Sequence, residues 1–382
     1  MEYRILGRTG LKVGAIALGC EGFTDKTAEE VRADFDFAIR NGINFLDLYA
    51  SNPTLRSNIG AALAGRREKF VIQGHLCSVW EEGQYLRTRD PEKSLAAFED
   101  MLARLGTDYV EIGMIHYVDA EADLREVLDG PIMRLAQRLR SEGRIRHIGL
   151  SSHNPVVAHM AARTGLIDVL MFSVNPCYDL LPPSDDVDTL WADESYAREL
   201  HNIDPERQRL YEFCEREGIA IDVMKAYGGG DLLSDANSPF GRPMTPVQCL
   251  EYALTRPGVA AVMAGCRSRE EMQAALDWCS ATAAERDYTG ALAGLDKFSW
   301  EGHCMYCGHC APCSVGIDIA GVNKYYNLTL AQHEIPETVR EHYRLLPHHA
   351  SECIACGRCE RNCPFGVDII GHMRLAAAKF GY

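Results

Sequence analysis

Between about residues 12 and 280, short apolar runs rich in β-branched residues alternate eight times with segments of helical period, and this constrains the chain more than any other feature. The runs are AIALG (15–19), NFLD (44–47), FVIQG (70–74), VEIGMI (110–115), RHIGL (146–150), DVLMFSV (168–174), AIDVM (220–224) and VAAVMAG (259–265). Strands separated by crossovers of helical length pair in parallel, and eight strand-then-helix units close into a (β/α)8 TIM barrel, an α/β fold. In such a barrel the reacting groups stand at the C-terminal ends of the strands. The residues just after each run are therefore the catalytic candidates.

The intervening segments carry helix signals of their own. Thr27 and Glu30 are spaced as a capping box ahead of Val31, Phe35, Ala38 and Ile39. Leu95, Phe98, Leu102 and Leu105 form an apolar stripe that stops at Gly106. Two connections are longer than plain βα loops. Residues 176–206 carry eight acids from Asp185 onward and a single Arg, and read either as a lid bearing Trp191 or as a solvated excursion. Gly228, Gly229 and Gly230 read as a close approach to a ligand or as a tight turn.

Past about residue 285 the alternation ends and cysteines gather, which divides the chain into a barrel at 1–284 and a small α-helical ferredoxin-like domain at 285–382. Cys304, Cys307, Cys310 and Cys313 stand at two-residue gaps, and Cys353, Cys356, Cys359 and Cys363 follow C-x2-C-x2-C-x3-C-P. The second spacing is the bacterial ferredoxin run for a 4Fe-4S cluster, in which the fourth cysteine ligates the other cluster. Two 4Fe-4S clusters are expected, one on Cys304, Cys307, Cys310 and Cys363, the other on Cys353, Cys356, Cys359 and Cys313. In the first run the last gap is short and Ser314 replaces the usual Pro. Two four-cysteine zinc sites are the rival reading, but zinc ribbons use two C-x-x-C pairs per metal. IDIAGVNKYYNLTLAQ and ETVREHYRLL, between the runs, read as helices. The remaining seven cysteines, Cys20, Cys77, Cys177, Cys214, Cys249, Cys266 and Cys279, read mostly as core thiols, with Cys77 and Cys177 set apart because both follow strands.

An odd total of 15 cysteines in a long chain points to metal ligation and free thiols rather than to a disulfide framework. The N-terminus shows no apolar stretch of signal-peptide length, no later run approaches a membrane span, and a cytoplasmic protein is expected. A net charge of -15 with no basic patch argues against nucleic-acid and membrane-surface partners.

The segments YRILGRTGLKVGAIALGC, GINFLDLY, LGTDYVEIGMIHYVD, GRIRHIGLSSHNP and VMKAYGGGDLL resemble aldo/keto reductases of the branch that carries a C-terminal ferredoxin-like domain. The resemblance implies a tetrad of Asp, Tyr, Lys and His at the barrel mouth, with NAD(P)H as hydride donor. Asp47 and His116 match it; Asn52 stands in the position of the Tyr, and His75 in that of the Lys. An amide releases no proton near neutral pH, so either another group serves as acid or none does. His75 and His116 titrate in the right range, and Tyr49 and Tyr117 lie beside the matched positions.

The resemblance also places the nicotinamide amide near Ser151, Ser152 and Asn175, with Lys225, Gly265, Arg267 and Ser268 on the cofactor's path. Glu271, Ala274 and Ala275 stand in the adenosine-end segment, and a carboxylate there favours NADH over NADPH by repelling a 2′-phosphate, with Arg267 and Arg269 available to offset it. Independently of the family, His153 ends strand five as His75 and His116 end strands three and four. With Asp47 these three are adequate ligands for zinc or iron.

The leading expectation is an iron–sulfur oxidoreductase. It reduces or oxidises a small organic substrate at the barrel mouth, with electrons passing through both clusters to or from a redox protein partner. An NAD(P)H-dependent carbonyl reductase with structural clusters is the second reading, and a non-catalytic electron-carrier or docking subunit is the third.

Overall fold

All eight runs form strands in the computed structural model, which describes residues 1–295, 297–330 and 335–382. They are β1 (Ile16–Gly19), β2 (Phe45–Leu48), β3 (Val71–Leu76), β4 (Val110–Ile115), β5 (Ile145–Ser152), β6 (Val169–Ser173), β7 (Ala220–Met224) and β8 (Val259–Gly265). Each pairs in parallel with its sequence neighbours, and β8 pairs with β1 to close the barrel. The register sets Asp47 opposite Gln73, His75 opposite Met114, and Ser173 opposite Met224. Side chains alternate faces along a strand, so Gln73 and His75, two apart on β3, share the barrel interior with Asp47 and Asp222.

Ala17, Phe45, Ile112, Met114, Val169, Met171, Ala220, Ala261 and Met263 fill the interior. Leu6 and Val13, from an antiparallel hairpin of Tyr3–Ile5 and Lys12–Gly14, join the same cluster. The strands' other faces pack on helices whose ends follow the sequence signals. Thr27 and Glu30 make the reciprocal capping box of helix Ala28–Arg40, and Gly106 ends helix Pro91–Leu105 at φ 65°. Gly228, Gly229 and Gly230 form a turn with φ of 60°, 73° and 110°. A second hairpin, Ser78–Glu81 with Gln84–Arg87, interrupts the alternation after β3.

The acidic connection after β6 folds as 3-10 turns and a short strand. Asp185 accepts a hydrogen bond from Asn154 Nδ2 (2.9 Å) beside the end of β5. At its far end Leu200–His201 pairs in parallel with Phe298–Ser299, just ahead of the first cysteine run. The connection therefore ties the rim of the barrel to the cysteine-bearing segment.

In that segment lie helices Ile319–Leu330, Glu337–Arg344 and Ile369–Phe380. The last two residues of IDIAGVNKYYNLTLAQ fall outside the described residues. Ile369, Met373, Ala376 and Phe380 make a buried stripe of helical period. Helix Ile319–Leu330 packs on the barrel helix Pro205–Glu217, where Lys324 Nζ lies 2.7 Å from Glu215 Oε1. Among the described residues no helix is long and apolar enough to cross a membrane.

Candidate active site

The ends of β2, β3 and β4 bring Asp47, His75 and His116 into one hydrogen-bonded line. His75 Nε2 is 2.9 Å from Asp47 Oδ1, and His75 Nδ1 is 2.7 Å from His116 Nδ1. The outer nitrogen of His116, Nε2, meets the Tyr85 hydroxyl. Tyr85 comes from the hairpin after β3, which folds back over the mouth. Tyr49 stacks on His116 with centroids 5.6 Å apart and planes 5° from parallel, and its edge meets Tyr85.

The line is anchored from below and behind. Gln73 Nε2 donates to Asp47 Oδ1 and to Asp222 Oδ2, both at 2.9 Å. Asp222 is fully buried, and burial pushes its carboxyl well above the usual range against the pull of the Gln73 hydrogen bond. Arg89 donates to the backbone carbonyls of His116 (2.9 Å) and Tyr117 (2.7 Å) and is itself held by Asp123. Burial depresses the His116 pKa well below its usual value, with the charges of His75 and Arg89 adding to the effect. Burial also raises the phenol pKa of Tyr49 and of Tyr85. His116 is therefore a neutral imidazole between a protonated phenol and a second imidazole.

His153 is not part of this line. Its Nδ1 pairs with Asp119 Oδ2 at 2.9 Å, and its backbone N–H donates to Asp119 Oδ1 at 2.6 Å. Burial works against the Asp119 carboxylate, yet the hydrogen bonds from His153 and Ser152 outweigh it and lower its pKa. Tyr117 lies between, its ring 5.1 Å from that of His116 and 5.8 Å from that of His153. Among the described residues no three His, Cys, Asp or Glu side chains gather as a single-ion site, and the Nδ1 atoms of His75 and His116 are taken up by each other.

The residues expected along a nicotinamide cofactor lie on the β5, β6, β7 and β8 side of the mouth. The Ser151 hydroxyl is buried without a hydrogen-bond partner, while Ser152 donates to Asp119 (3.1 Å). Asn175 donates to the Lys225 carbonyl (2.9 Å) and accepts from the Cys177 and Tyr178 amides. Lys225 is exposed at φ 63°. Beyond β8, Gly265 and Arg267 are exposed, and Ser268 caps helix Arg269–Leu276. Glu271 accepts from the Arg267 amide (2.7 Å), and Arg269 is engaged by Asp34 (2.8 Å). Asn52, in the position expected for the family's Tyr, caps helix Pro53–Leu63 through Leu55 N (3.0 Å).

The eight clustered cysteines line two concavities. One, of about 330 Å³, is bounded by Cys304, Cys307, Cys310 and Cys363 with Phe365, Val367 and Ile369. The other, of about 370 Å³, is bounded by Cys313, Cys353, Cys356 and Cys359 with Ile317, Ile370 and Met373. The two loops repeat each other in conformation. Tyr306 and Ala355, each just before a second cysteine, take φ of 55° and 52°, and Gly308 and Gly357 take 79° and 70°. Asp318 and Asp368 then accept equivalent hydrogen bonds from Gly321 N and Gly371 N. Of the other seven cysteines all are buried except Cys279, which is half-buried; Cys77 and Cys177 are within the core despite following strands.

Sequence reasoning did not reach Tyr85, Asp119, Gln73 or Asp222. The Glu82–Gly83 pair between SVWE and QYLR is a hairpin signal, and polar residues inside the runs FVIQG and AIDVM mark an interior polar layer. Neither signal reveals which groups meet.

A family model described as the aldo/keto reductase family matches residues 11–246, more than half of the chain. A model described as a 4Fe-4S dicluster domain matches residues 303–368. Among curated proteins, an uncharacterized oxidoreductase of Bacillus subtilis, YqkF, is 28% identical over 177 residues, covering 45% of this chain and 56% of that protein. L-galactose dehydrogenase of Arabidopsis thaliana is 28% identical over 202 residues, covering 48% and 61%. The chain thus spans about half the length of the curated relatives it matches. An aldo-keto reductase from Bacillus halodurans in its holo form shares the fold with a TM-score of 0.58 at 23% identity, covering 75% of this chain and 94% of that one.

Proposed function

The chain belongs to the aldo/keto reductase family and carries a 4Fe-4S dicluster domain, and on that premise we propose that it is an iron–sulfur oxidoreductase. It reduces or oxidises a small organic substrate at the mouth of a barrel formed by residues 1–284, with electrons passing through two 4Fe-4S clusters in residues 285–382. The observation that carries this reading is the line Asp47, His75, His116, Tyr85. It supplies a proton donor where the family's Tyr and Lys are replaced by Asn52 and His75, at the strand ends where barrel chemistry occurs.

The line works as a relay. With a proton on each nitrogen of His75, Nε2–H donates to Asp47 and Nδ1–H donates to the neutral His116, whose Nε2–H faces Tyr85. When the Tyr85 phenol gives its proton to a substrate oxygen, His116 Nε2 replaces it and His116 Nδ1 draws the proton from His75. One proton reaches the substrate and His75 is left neutral against Asp47. The raised phenol pKa of Tyr85 makes a lasting phenolate costly and so favours this immediate replacement. For oxidation the same shifts run backward.

Two sets of four thiols around apolar-walled concavities are the donor chemistry of cubane clusters. Cys304, Cys307, Cys310 and Cys363 hold one, and Cys313, Cys353, Cys356 and Cys359 hold the other. When bound, these groups supply or accept electrons singly, which suits exchange with a redox protein partner.

A second reading, hydride transfer from a nicotinamide to a carbonyl, draws support from the unpartnered Ser151 hydroxyl at the cofactor side of the mouth. At the adenosine end Glu271 adds a carboxylate and Arg269 is paired with Asp34, which leaves the exposed Arg267 side chain as the cation available to a 2′-phosphate, so NADH is favoured over NADPH.

Anaerobic assay of the iron-replete chain against a panel of aldehydes and ketones, driven by reduced methyl viologen, tests the proposal. Turnover that Cys359→Ser abolishes supports it, and full turnover in that variant sinks it. Titration with NADH and NADPH separates the rest. Cluster bleaching places hydride entry in the barrel, tight binding without bleaching favours the carbonyl reductase, and no turnover with any donor favours a docking subunit.

A further inference from the structure

Arg256, just after helix Pro246–Leu254, is 2% exposed, and among the described residues no carboxylate stands within ion-pair distance of it. Its Nη1 has no hydrogen-bond partner. A buried guanidinium without an ion-pair partner is among the more expensive arrangements a protein can hold, and only the more distant charge of Asp179 opposes its burial from the barrel side. Its Nε donates to the Tyr252 carbonyl (3.2 Å) and its Nη2 to the Thr255 hydroxyl (3.1 Å) at its own helix end, and its other contacts lead toward the first cysteine loop. Arg256 Nη2 donates to the carbonyl of Met305, the residue after Cys304, and the Tyr288 hydroxyl donates to the same carbonyl (2.6 Å). The guanidinium carbon lies 5.3 Å from the ring centroid of Tyr306 and 4.5 Å from that of Tyr252. The arginines at the second loop are exposed instead: Arg361 Nη1 donates to the Cys356 carbonyl (3.4 Å) and Arg358 lines the concavity, both open to solvent that screens their charge, and Ile354, the counterpart of Met305, is 63% exposed.

The same residues lead on to the barrel mouth. Tyr288 packs edge-on against Tyr252 at 5.4 Å, and the Tyr252 hydroxyl donates to Asp179 (2.7 Å). The Asp179 amide in turn donates to the Asn175 carbonyl (3.0 Å) past the end of β6.

We propose that Arg256 is the built-in counter-cation of the cluster on Cys304, Cys307, Cys310 and Cys363: it balances that cluster's negative charge and raises its reduction potential, so holding a transferred electron on the side facing the barrel. This rests on the reading that those four cysteines hold a 4Fe-4S cluster. Four thiolates around a cubane leave net negative charge, and one-electron reduction adds another. A fixed positive charge in a low-dielectric setting stabilises the reduced form more than the oxidised one. Arg256 is thus a positioning residue that acts through the cluster rather than on the substrate.

The test is an anaerobic redox titration of the reconstituted full chain with dithionite as one-electron donor, followed by EPR, for wild type, Arg256→Lys and Arg256→Met. Cys363→Ser identifies which signal belongs to the barrel-side cluster. Arg256→Met is expected to weaken reduction of that cluster alone by at least tenfold, about 59 mV for one electron, while Arg256→Lys stays near wild type. Thermal unfolding of the iron-free chain supplies the second arm, because without the cluster the buried charge keeps no ion-pair partner. There Arg256→Met is expected to leave Tm unchanged or raise it. An unshifted barrel-side potential, an equal shift in both signals, or an iron-free Arg256→Met chain that unfolds earlier than wild type or fails to fold each overturns the proposal. A wild-type chain that takes up no iron overturns instead the reading on which it rests.

Discussion

His75 and His116 meet Nδ1 to Nδ1 at 2.7 Å, so one imidazole donates and the other accepts. Asp47 holds the far nitrogen of His75 and Tyr85 caps the far nitrogen of His116, which leaves the line two ordered proton arrangements and little else. A line with two arrangements can move a proton by one step along its whole length. Asp47→Asn breaks this order, because an amide can present N–H where the carboxylate only accepts. Turnover in the viologen-driven assay is expected to fall by roughly 10²-fold or more with iron content unchanged. Wild-type rates in this variant would remove Asp47 from the relay.

Tyr85→Phe keeps the ring over His116 and removes only the hydroxyl. We expect kcat to fall by about 10²–10⁴-fold, with KM nearly unchanged, because the lost group acts on the developing oxygen charge. Tyr49→Phe retains the ring that stacks on His116 and should cost far less. Equal losses in the two variants would assign the acid role to neither.

The depressed pKa of His116 makes stability fall with acid. Above its ordinary value of 6.5 the imidazole is neutral in both folded and unfolded chains. Below that value the unfolded chain takes up a proton the folded site refuses. Stability then drops by up to about 1.4 kcal/mol per pH unit until the depressed folded pKa is reached. Between pH 7.5 and pH 5.5, Tm of wild type should therefore fall more than Tm of His116→Asn. Parallel losses would mean that His116 is not held neutral.

Gly60 lets two barrel helices touch. A Cβ built there would stand 1.9 Å from the Arg104 carbonyl oxygen, which is backbone and cannot turn aside. Gly60→Ala is expected to force helices Pro53–Leu63 and Pro91–Leu105 apart at a cost of about 2–3 kcal/mol, although alanine is the better helix former. An unchanged Tm would show that the pair repacks freely.

Loss of iron should act on one end of the chain. The two concavities are walled by Ile317, Ile319, Met373 and Phe365 as well as by cysteines, and the helices beginning at Ile319 and Ile369 form their edges. Chelation is expected to lower the protease resistance of residues 300–382 while the barrel persists, since ligand binding stabilises only the state that holds it. Cys363→Ser should retain roughly half of the about eight iron atoms that two cubanes contain. Complete loss of iron in that variant would mean that the two sites assemble only together.

The barrel was legible in the sequence because strand and helix period, caps and breakers are local properties, and eight repetitions of one unit leave few ways to close a parallel sheet. The same holds for the spacing of the eight cysteines, which loops of two or three residues confine to one small region. Asp47, His75 and His116 were legible as a group because strand ends in a parallel barrel share one rim.

What each of these side chains faces was decided only in three dimensions. His153 ends its strand as His75 and His116 end theirs, yet Asp119 from the connection after β4 reaches it first. Tyr85 is 31 residues from His116 and becomes its partner only because a two-residue turn folds a hairpin back over the mouth. Arg256 stands just after a helix, where no local pattern marks it. It is buried against Met305, 49 residues away, because the cysteine-bearing segment packs over it. Periodicity and spacing determine which elements form and which residues reach the rim; the partner of a polar side chain depends on long-range packing, which no local pattern encodes.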